Sequence, residues 1–333
     1  MTGAPATPPA ADVTPLLRVT DLRVHFPSSH GTVRAVDGVS FTLRKGETLG
    51  LVGESGCGKS TTARAIVGLV PVTSGSVEFD GVELVGLRGR ALAAVRPRLQ
   101  MVFQDPYASL NPRMTVASIV GEPLVIHHRL QNGASLTDRV CSLLETVGLD
   151  PSMRRRYPHE FSGGQRQRIG LARSLALEPD VILLDEPVSA LDVSVQAQVL
   201  NLLEDLRARL SLTYLFIAHN LGVVRHVSDR IAVMYLGRIV ELASRENLFA
   251  RPLHPYTEAL LSAVPVPDPE VEAQRRRIPI EGEIPSPTAT IVGCPFRSRC
   301  PKAFDRCAVD DPQLKEHRPG QFAACHLPER QAT

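Results

Sequence analysis

Eight consecutive residues, Gly53-Glu54-Ser55-Gly56-Cys57-Gly58-Lys59-Ser60, followed by Thr61, have the composition of a loop that holds phosphate. Glycines let successive backbone N–H groups converge on an anion, and a helix that starts where the loop ends points its positive end at it. Lys59 is the cation for β- and γ-phosphates, and Ser60 supplies a hydroxyl to Mg2+. Cys57 reads as a small filler of the loop, not as a reactive thiol. A second stretch, VILLDE at 181–186, is an apolar run that ends in two carboxylates. Asp185 is suited to hold Mg2+, usually through water, and Glu186 to polarise an attacking water. Taken singly, a Gly-rich surface turn and a strand end meeting solvent are bland alternatives. Together in one chain the two motifs point to hydrolysis of a bound polyphosphate.

The flanking patterns supply the elements that must position these groups. TLGLVG (48–53) is an apolar strand running into the Gly-rich turn, and TARAIVGLV (62–70) has helical spacing. LQMVFQ (99–104), VILLD (181–185) and TYLFIA (213–218) read as core strands, with a helix over about 194–210 between the last two. That alternation predicts a largely parallel α/β sheet covered on both faces. Residues 16–50 alternate in the manner of antiparallel strands, GSVEFDGVEL (75–84) reads as a hairpin around Asp80-Gly81, and IAVMYLGRIVEL (231–242) as a closing hairpin. From about Val116 to Tyr157 the pattern is helical. Proline and charge dominate from Pro265 to Pro287, which marks a linker. There is no internal repeat of fixed period.

Composition narrows the class. With 333 residues, 43% hydrophobic and 22% charged, the chain has ample core for a large globular domain with an appendage. A formal net charge of +2, with only the short basic runs Arg154–Arg156 and Arg275–Arg277, reads as solvated surface and argues against a nucleic-acid partner. No run approaches the ~20 apolar residues that span a bilayer. The first fifteen residues are Pro/Ala-rich, lack the basic start and apolar run of a signal peptide, and read as a disordered tail. A cytosolic location is therefore expected.

FSGGQRQR (161–168) carries the resemblance to a family. Ser162-Gly163-Gly164-Gln165 before an amphipathic helix is a second anion site, with a hydroxyl and Gly-freed N–H groups at a helix N-terminus. Placed just before the acidic strand, it resembles the signature of ABC-type ATPases. That resemblance implies that the signature meets ATP bound to a partner subunit. It also implies that Gln104 is a lid glutamine and Mg2+ ligand with Ser60 and Asp185. Glu186 and His219 would then be catalytic, Ser189-Ala190-Leu191-Asp192 would form a dimer-contact loop, and Phe26 would stack on adenine. A core phenylalanine is the alternative for Phe26. DPYASLNPRMTV (105–116), IAHNLGVVRHVSDRIAVMYLGRIVE (217–241) and HPYTEALLSAVP (254–265) are similar to the ATPase subunits of bacterial oligopeptide and dipeptide importers, over roughly residues 16–328. The fold implied is a P-loop ABC-type ATPase core at 16–264, with an antiparallel β subdomain and a helical subdomain at about 107–165. A linker and a small Cys-rich C-terminal domain would follow at 265–333. The activity implied is ATP hydrolysis driving peptide import from the cytoplasmic face of the membrane. The implied partners are a second ATPase subunit, two transmembrane permease subunits touched by the stretch after Gln104 and the helical region, and, indirectly, an extracytoplasmic peptide-binding protein. Import of nickel or another small solute, or a soluble ABC ATPase acting on DNA or ribosomes, are the rival readings. The latter usually carries a long coiled coil or a second ATPase half, and neither is in this sequence.

Cys294, Cys300, Cys307 and Cys325 crowd the C-terminal stretch. Zinc sites prefer two to four residues between paired ligands, so the wider spacing here suits zinc poorly. Four thiolates with Pro after Cys294 and Cys300 fit a [4Fe–4S] cluster better, and the importer resemblance points the same way. Zinc and unligated thiols stay open as alternatives. Because the cysteines lie far in sequence from every phosphate motif, chemistry on ATP is not their expected task; a four-thiolate site would staple a tail otherwise too short and Pro-rich to fold alone.

Overall fold

The computed structural model describes residues 14–29, 31–105, 109–130, 133–265, 277–289 and 291–331. Most of the expected tail (1–15), the middle of the linker, Arg275 and Arg276, and residues 106–108 lie outside the described residues. No helix among the described residues is long and apolar enough to cross a membrane.

The chain opens with β1 (Leu17–Ser28), β2 (Gly31–Leu43), β3 (Thr48–Val52), α1 (Lys59–Ile66), β4 (Ser74–Phe79), β5 (Val82–Glu83), α2 (Gly89–Val95) and β6 (Leu99–Val102). There follow α3 (Val116–Ile126), α4 (Ala134–Thr146), α5 (Gly163–Leu175), β7 (Val181–Asp185), α6 (Val193–Leu210) and β8 (Thr213–Ala218). The last part holds α7 (Leu221–Val227), β9 (Arg230–Tyr235), β10 (Arg238–Ser244), α8 (Arg245–Ala250), α9 (Pro255–Ser262), α10 (Arg306–Val309), β11 (Lys315–Arg318), β12 (Gln321–Ala323) and α11 (Leu327–Gln331). The elements group into two compact units. One takes in residues up to Arg44, Thr48–Val85 and Ala218 onward; the other takes in Lys45–Glu47 and Gly86–Ile217.

In the first unit β2, β1, β4 and β5 form an antiparallel sheet in that order. Asp80 (φ 49°) and Gly81 (φ 79°) turn the β4–β5 hairpin, and Leu236 (φ 44°) and Gly237 (φ 78°) turn β9–β10. Two successive left-handed residues match the twist of the strands they join. Both hairpins expected from sequence are present. β3 runs parallel to β9, and every residue of β3 is buried, which is why it reads as an unbroken apolar run. The helical pattern at 62–70 stops early: α1 ends at Ile66, and Gly68 (φ 72°) takes the left-handed cap. Leu69 N–H then bonds Arg64 O at 2.8 Å and Gly68 N–H bonds Ala65 O at 3.1 Å, satisfying the last carbonyls.

The C-terminal stretch contributes strands to the same unit. β12 pairs with β10, Glu241 opposite Ala323 and Leu242 opposite Phe322, and β11 pairs with β12. Strands of three and four residues are too short to hold a sheet of their own, and β10 offers them a ready ladder. Two short strands of the tail thus extend the sheet edge at β10 in the first unit.

In the second unit β6, β7 and β8 are parallel neighbours, Val102 opposite Leu184 and Asp185 opposite Ile217. β7 and β8 are buried throughout. The helical region expected from about Val116 to Tyr157 contains α3, α4 and a short 3-10 turn at Pro151–Arg155. β6 stops at Val102, so Gln104 sits in the loop beyond the strand and not within it.

Candidate functional site

The phosphate-type loop follows β3 and feeds α1. Gly58 holds φ 107°, and a Cβ there would lie 2.1 Å from Ala35 O, so only glycine fits this last step before the helix. Lys59 is buried, 4% exposed, and its ammonium donates to Gly53 O at 2.8 Å and Glu54 O at 3.0 Å. The lysine thus spans the loop from within. Cys57 N–H bonds Glu54 O, and Gly237 N–H from the β9–β10 turn bonds Cys57 O at 2.9 Å. Burial pushes the Cys57 thiol above its ordinary value against the pull of Lys59, which fits a filler. Phe26 lies on β1 opposite Val33 and is 37% exposed, so it is not a core phenylalanine.

In the second unit the structure joins residues that are far apart in sequence. Asp185 ends β7 fully buried, and Glu186 follows in the left-handed region at φ 46°. A non-glycine residue held there is strained, a feature that gathers at functional sites. Glu186 N–H bonds Ile217 O at 3.0 Å, while Ser189 Oγ donates to Glu186 O at 3.1 Å. Gln104 Nε2 donates to Glu186 Oε2 at 3.0 Å. The pairing of β6 with β7 puts the two side chains at the same end of neighbouring strands.

Ser162 caps α5. Its hydroxyl accepts from Gln165 N–H at 3.3 Å, and Gln165 Oε1 accepts from Ser162 N–H at 3.0 Å, a reciprocal capping box. Phe161 is buried beneath it. A Cβ on Gly164 would meet Val195 Cγ1 at 2.3 Å, and one on Gly163 would meet Leu191 Cδ2 at 3.0 Å. The signature glycines are thus small because the loop 189–192 and the start of α6 pack against them. Asp192 caps α6 by accepting from Val195 N–H at 3.0 Å. His219 is exposed just past β8.

The tail brings its cysteines together. Cys294, Cys300, Cys307 and Cys325 line one small enclosed cavity of about 10 Å³ with His254, Phe296 and His326. Burial and the neighbouring thiols push Cys294 up to about 11 and Cys325 to about 12. Among the described residues no group of three or more His, Cys, Asp or Glu is set to hold a metal ion.

The tail also reaches the phosphate-type loop. Arg299, between Cys294 and Cys300, donates to Glu54 Oε2 at 2.8 Å and Oε1 at 3.0 Å. Glu54 N–H donates to Tyr256 Oη at 2.9 Å. Phe296 packs its ring on Tyr235, Tyr256 and His254 at centroid distances of 5.3, 5.4 and 5.6 Å. Sequence spacing gives no sign of Arg299, because its partner lies 245 residues away. His254 and Tyr256 stand in the HPYT segment, a family marker whose local role the structure supplies. His254 Nδ1 accepts from Tyr256 N–H at 3.1 Å to start α9, and His254 N–H is itself held by Glu241 Oε2 at 2.9 Å.

Comparisons with known proteins agree with this geometry. The family model described as ABC transporter matches residues 36–189, and the one described as oligopeptide/dipeptide transporter, C-terminal region, matches 240–307. The chain is 56% identical to the putative oligopeptide transport ATP-binding protein YkfD of Bacillus subtilis, over 94% of this chain and 95% of that one. It is 53% identical to the oligopeptide transport ATP-binding protein OppF of Salmonella typhimurium, over 90% and 92% respectively. Among solved structures, the ATP-binding cassette MJ0796, in a dimeric post-hydrolysis state with ADP and Pi, superposes with a TM-score of 0.63 at 27% identity. That match covers 69% of this chain and 98% of the other. The chain therefore belongs to the family of ABC transporter ATP-binding proteins that carry the oligopeptide/dipeptide transporter C-terminal region.

Proposed function

We propose that this chain binds and hydrolyses ATP to drive import of peptides, as the ATPase subunit of a membrane transporter. The observation that carries the hydrolytic part is the Gln104–Glu186 contact at the ends of β6 and β7, with Glu186 held in a strained backbone. The loop amides and Lys59 receive the β- and γ-phosphates, Phe26 stacks on adenine, and Ser60, Gln104 and Asp185 offer the hard oxygen donors that Mg2+ prefers. Mg2+ neutralises phosphate charge when bound. Glu186 orients and polarises the attacking water, Gln104 fixes the Glu186 carboxylate, and His219 acts beside the γ-phosphate. Peptides as cargo rest on the C-terminal region and on the names of the relatives.

Assembly follows from the same reading. Ser162, Gly163, Gly164 and Gln165 meet ATP held by a second ATPase subunit, with Ser189, Ala190, Leu191 and Asp192 at that contact. The helical region meets two permease subunits at the cytoplasmic face of the membrane. Exposed Val125 and Ile126 at the end of α3 support the latter.

The four cysteines form a donor set for a [4Fe–4S] cluster. The support for this reading is that all four thiols line one cavity. The role proposed is structural.

Lys59→Ala and Glu186→Gln test the ATPase reading. Lys59→Ala is expected to lose nucleotide binding. Glu186→Gln is expected to retain it while turnover falls ~10² to 10⁴-fold. Turnover within a few-fold of wild type in Glu186→Gln would remove that residue from the mechanism.

A further inference from the structure

We propose that Arg299 and Tyr256 are positioning residues for the phosphate-binding loop, so that the Cys-rich tail holds Glu54, and through it Lys59, in the shape that receives ATP. The inference rests on the ATP-site reading above and adds to it residues from outside the motor motifs.

Glu54 is gripped at every polar atom. Its carboxylate takes both arms of the Arg299 guanidinium, a paired geometry roughly twice as strong as ordinary neutral bonds. Its N–H is spent on Tyr256 Oη. Its carbonyl accepts from Lys59 Nζ and Cys57 N–H. A chain of contacts thus runs from the tail into the ammonium that addresses the phosphates. The pair is sheltered: the Arg299 side chain is 6% exposed and that of Glu54 25%. Arg299 also lies over the Tyr235 ring, 5.8 Å from its centroid, and sits in a single 3-10 turn, Arg297–Arg299, directly before Cys300. The turn is pinned by Phe296 in its aromatic nest and by Cys294 N–H bonding Cys307 O at 2.9 Å.

Two consequences follow for ATP. A loop held in the receiving shape binds more tightly than one that samples it only part of the time, by the fraction of time it is competent. In addition, Glu54 is a carboxylate inside a loop that receives a polyanion. Arg299 cancels that charge, and without it like-charge repulsion would weaken binding further. Neither effect touches the attacking water, so binding and not the chemical step carries the loss.

The test titrates full-length chain with Mg2+ and a fluorescent ATP analogue, and measures ATPase kinetics in the assembled transporter. Arg299→Ala is expected to raise the Kd about tenfold, the loss of a charge-assisted bond. KM should rise by the same factor and kcat stay within about twofold of wild type. Arg299→Lys, which keeps the charge but not the fork, falls between. Tyr256→Phe removes one oxygen, leaves the ring packing, and raises Kd in the same direction; it carries the test if Arg299→Ala does not fold. Combining Arg299→Glu with Glu54→Arg restores the pair and should recover most of the affinity lost in Arg299→Glu. Kd within about twofold of wild type in both Arg299→Ala and Tyr256→Phe, or a fall in kcat with KM unchanged, overturns the inference. Failure of the wild-type chain itself to bind the analogue would instead bring down the ATP-site reading.

Discussion

Glu241 makes the strongest structural demand in the C-terminal region. It lies on β10 with no exposure at all, and its carboxylate accepts from Leu253 N–H at 2.8 Å, His254 N–H at 2.9 Å and Gln321 Nε2 at 3.1 Å. One buried acid therefore ties the start of the HPYT segment to β12. Burial raises its pKa, opposed by the N–H donors, so removing it relieves a desolvation cost as well as breaking bonds. Glu241→Ala leaves the buried His254 N–H and the part-buried Leu253 N–H without an acceptor, while Gln321 keeps Arg251 O at 2.8 Å. At about 1–3 kcal/mol for each orphan, the expected loss is about 4 kcal/mol. For a unit of this size that lowers Tm by roughly 8–16 °C. Glu241→Gln keeps an oxygen for Leu253 and Gln321 but turns an amide donor toward His254 N–H, so one bond is lost, at about 1–3 kcal/mol. Thermal unfolding gives the ranking, and hydrogen exchange at Leu253 and His254 shows whether the loss is local. A Gln variant as stable as wild type would mean that desolvation outweighs the bonds, and the reasoning would fail.

Buried His254 is neutral, with burial holding its pKa down to about 3. Since the unfolded value is near 6.5, its contribution to stability is complete above about pH 6.5 and is lost as pH falls toward 3, at about 1.4 kcal/mol per unit. Denaturant melts at pH 7.5 and 5 should therefore differ by about 2 kcal/mol more in wild type than in His254→Asn. Gly164→Ala drives a Cβ into Val195 and should cost about 1–3 kcal/mol, recovered in large part by adding Val195→Ala; equal stability of the single and double variants would refute the packing account. Protein purified without oxygen should carry about four iron and four sulfide per chain, and Cys300→Ser should lose them, by metal analysis. Zinc without iron, in protein made with iron supplied, would replace the cluster with a zinc site.

Much of the motor was legible in order along the chain, because its motifs are local. Gly53–Ser60 and Ser162–Gln165 are a loop and a helix start, and those are set by residues a few positions apart. The buried strands VILLD and TYLFIA showed themselves as apolar runs because both faces are covered. What neighbours in sequence could not specify were the meetings of distant side chains. Gln104 reaches Glu186 only because β6 and β7 pair in parallel register, and Arg299 reaches Glu54 only because the tail closes on the unit that holds β3. The pairing of the tail's strands was hidden for the same reason. These strands are too short to signal a sheet, and only the unfilled edge of β10, a tertiary feature, gives β12 a partner. Local propensity is a property of the sequence, whereas contacts hundreds of residues apart exist only once the sheet has fixed which edges and strand ends come together.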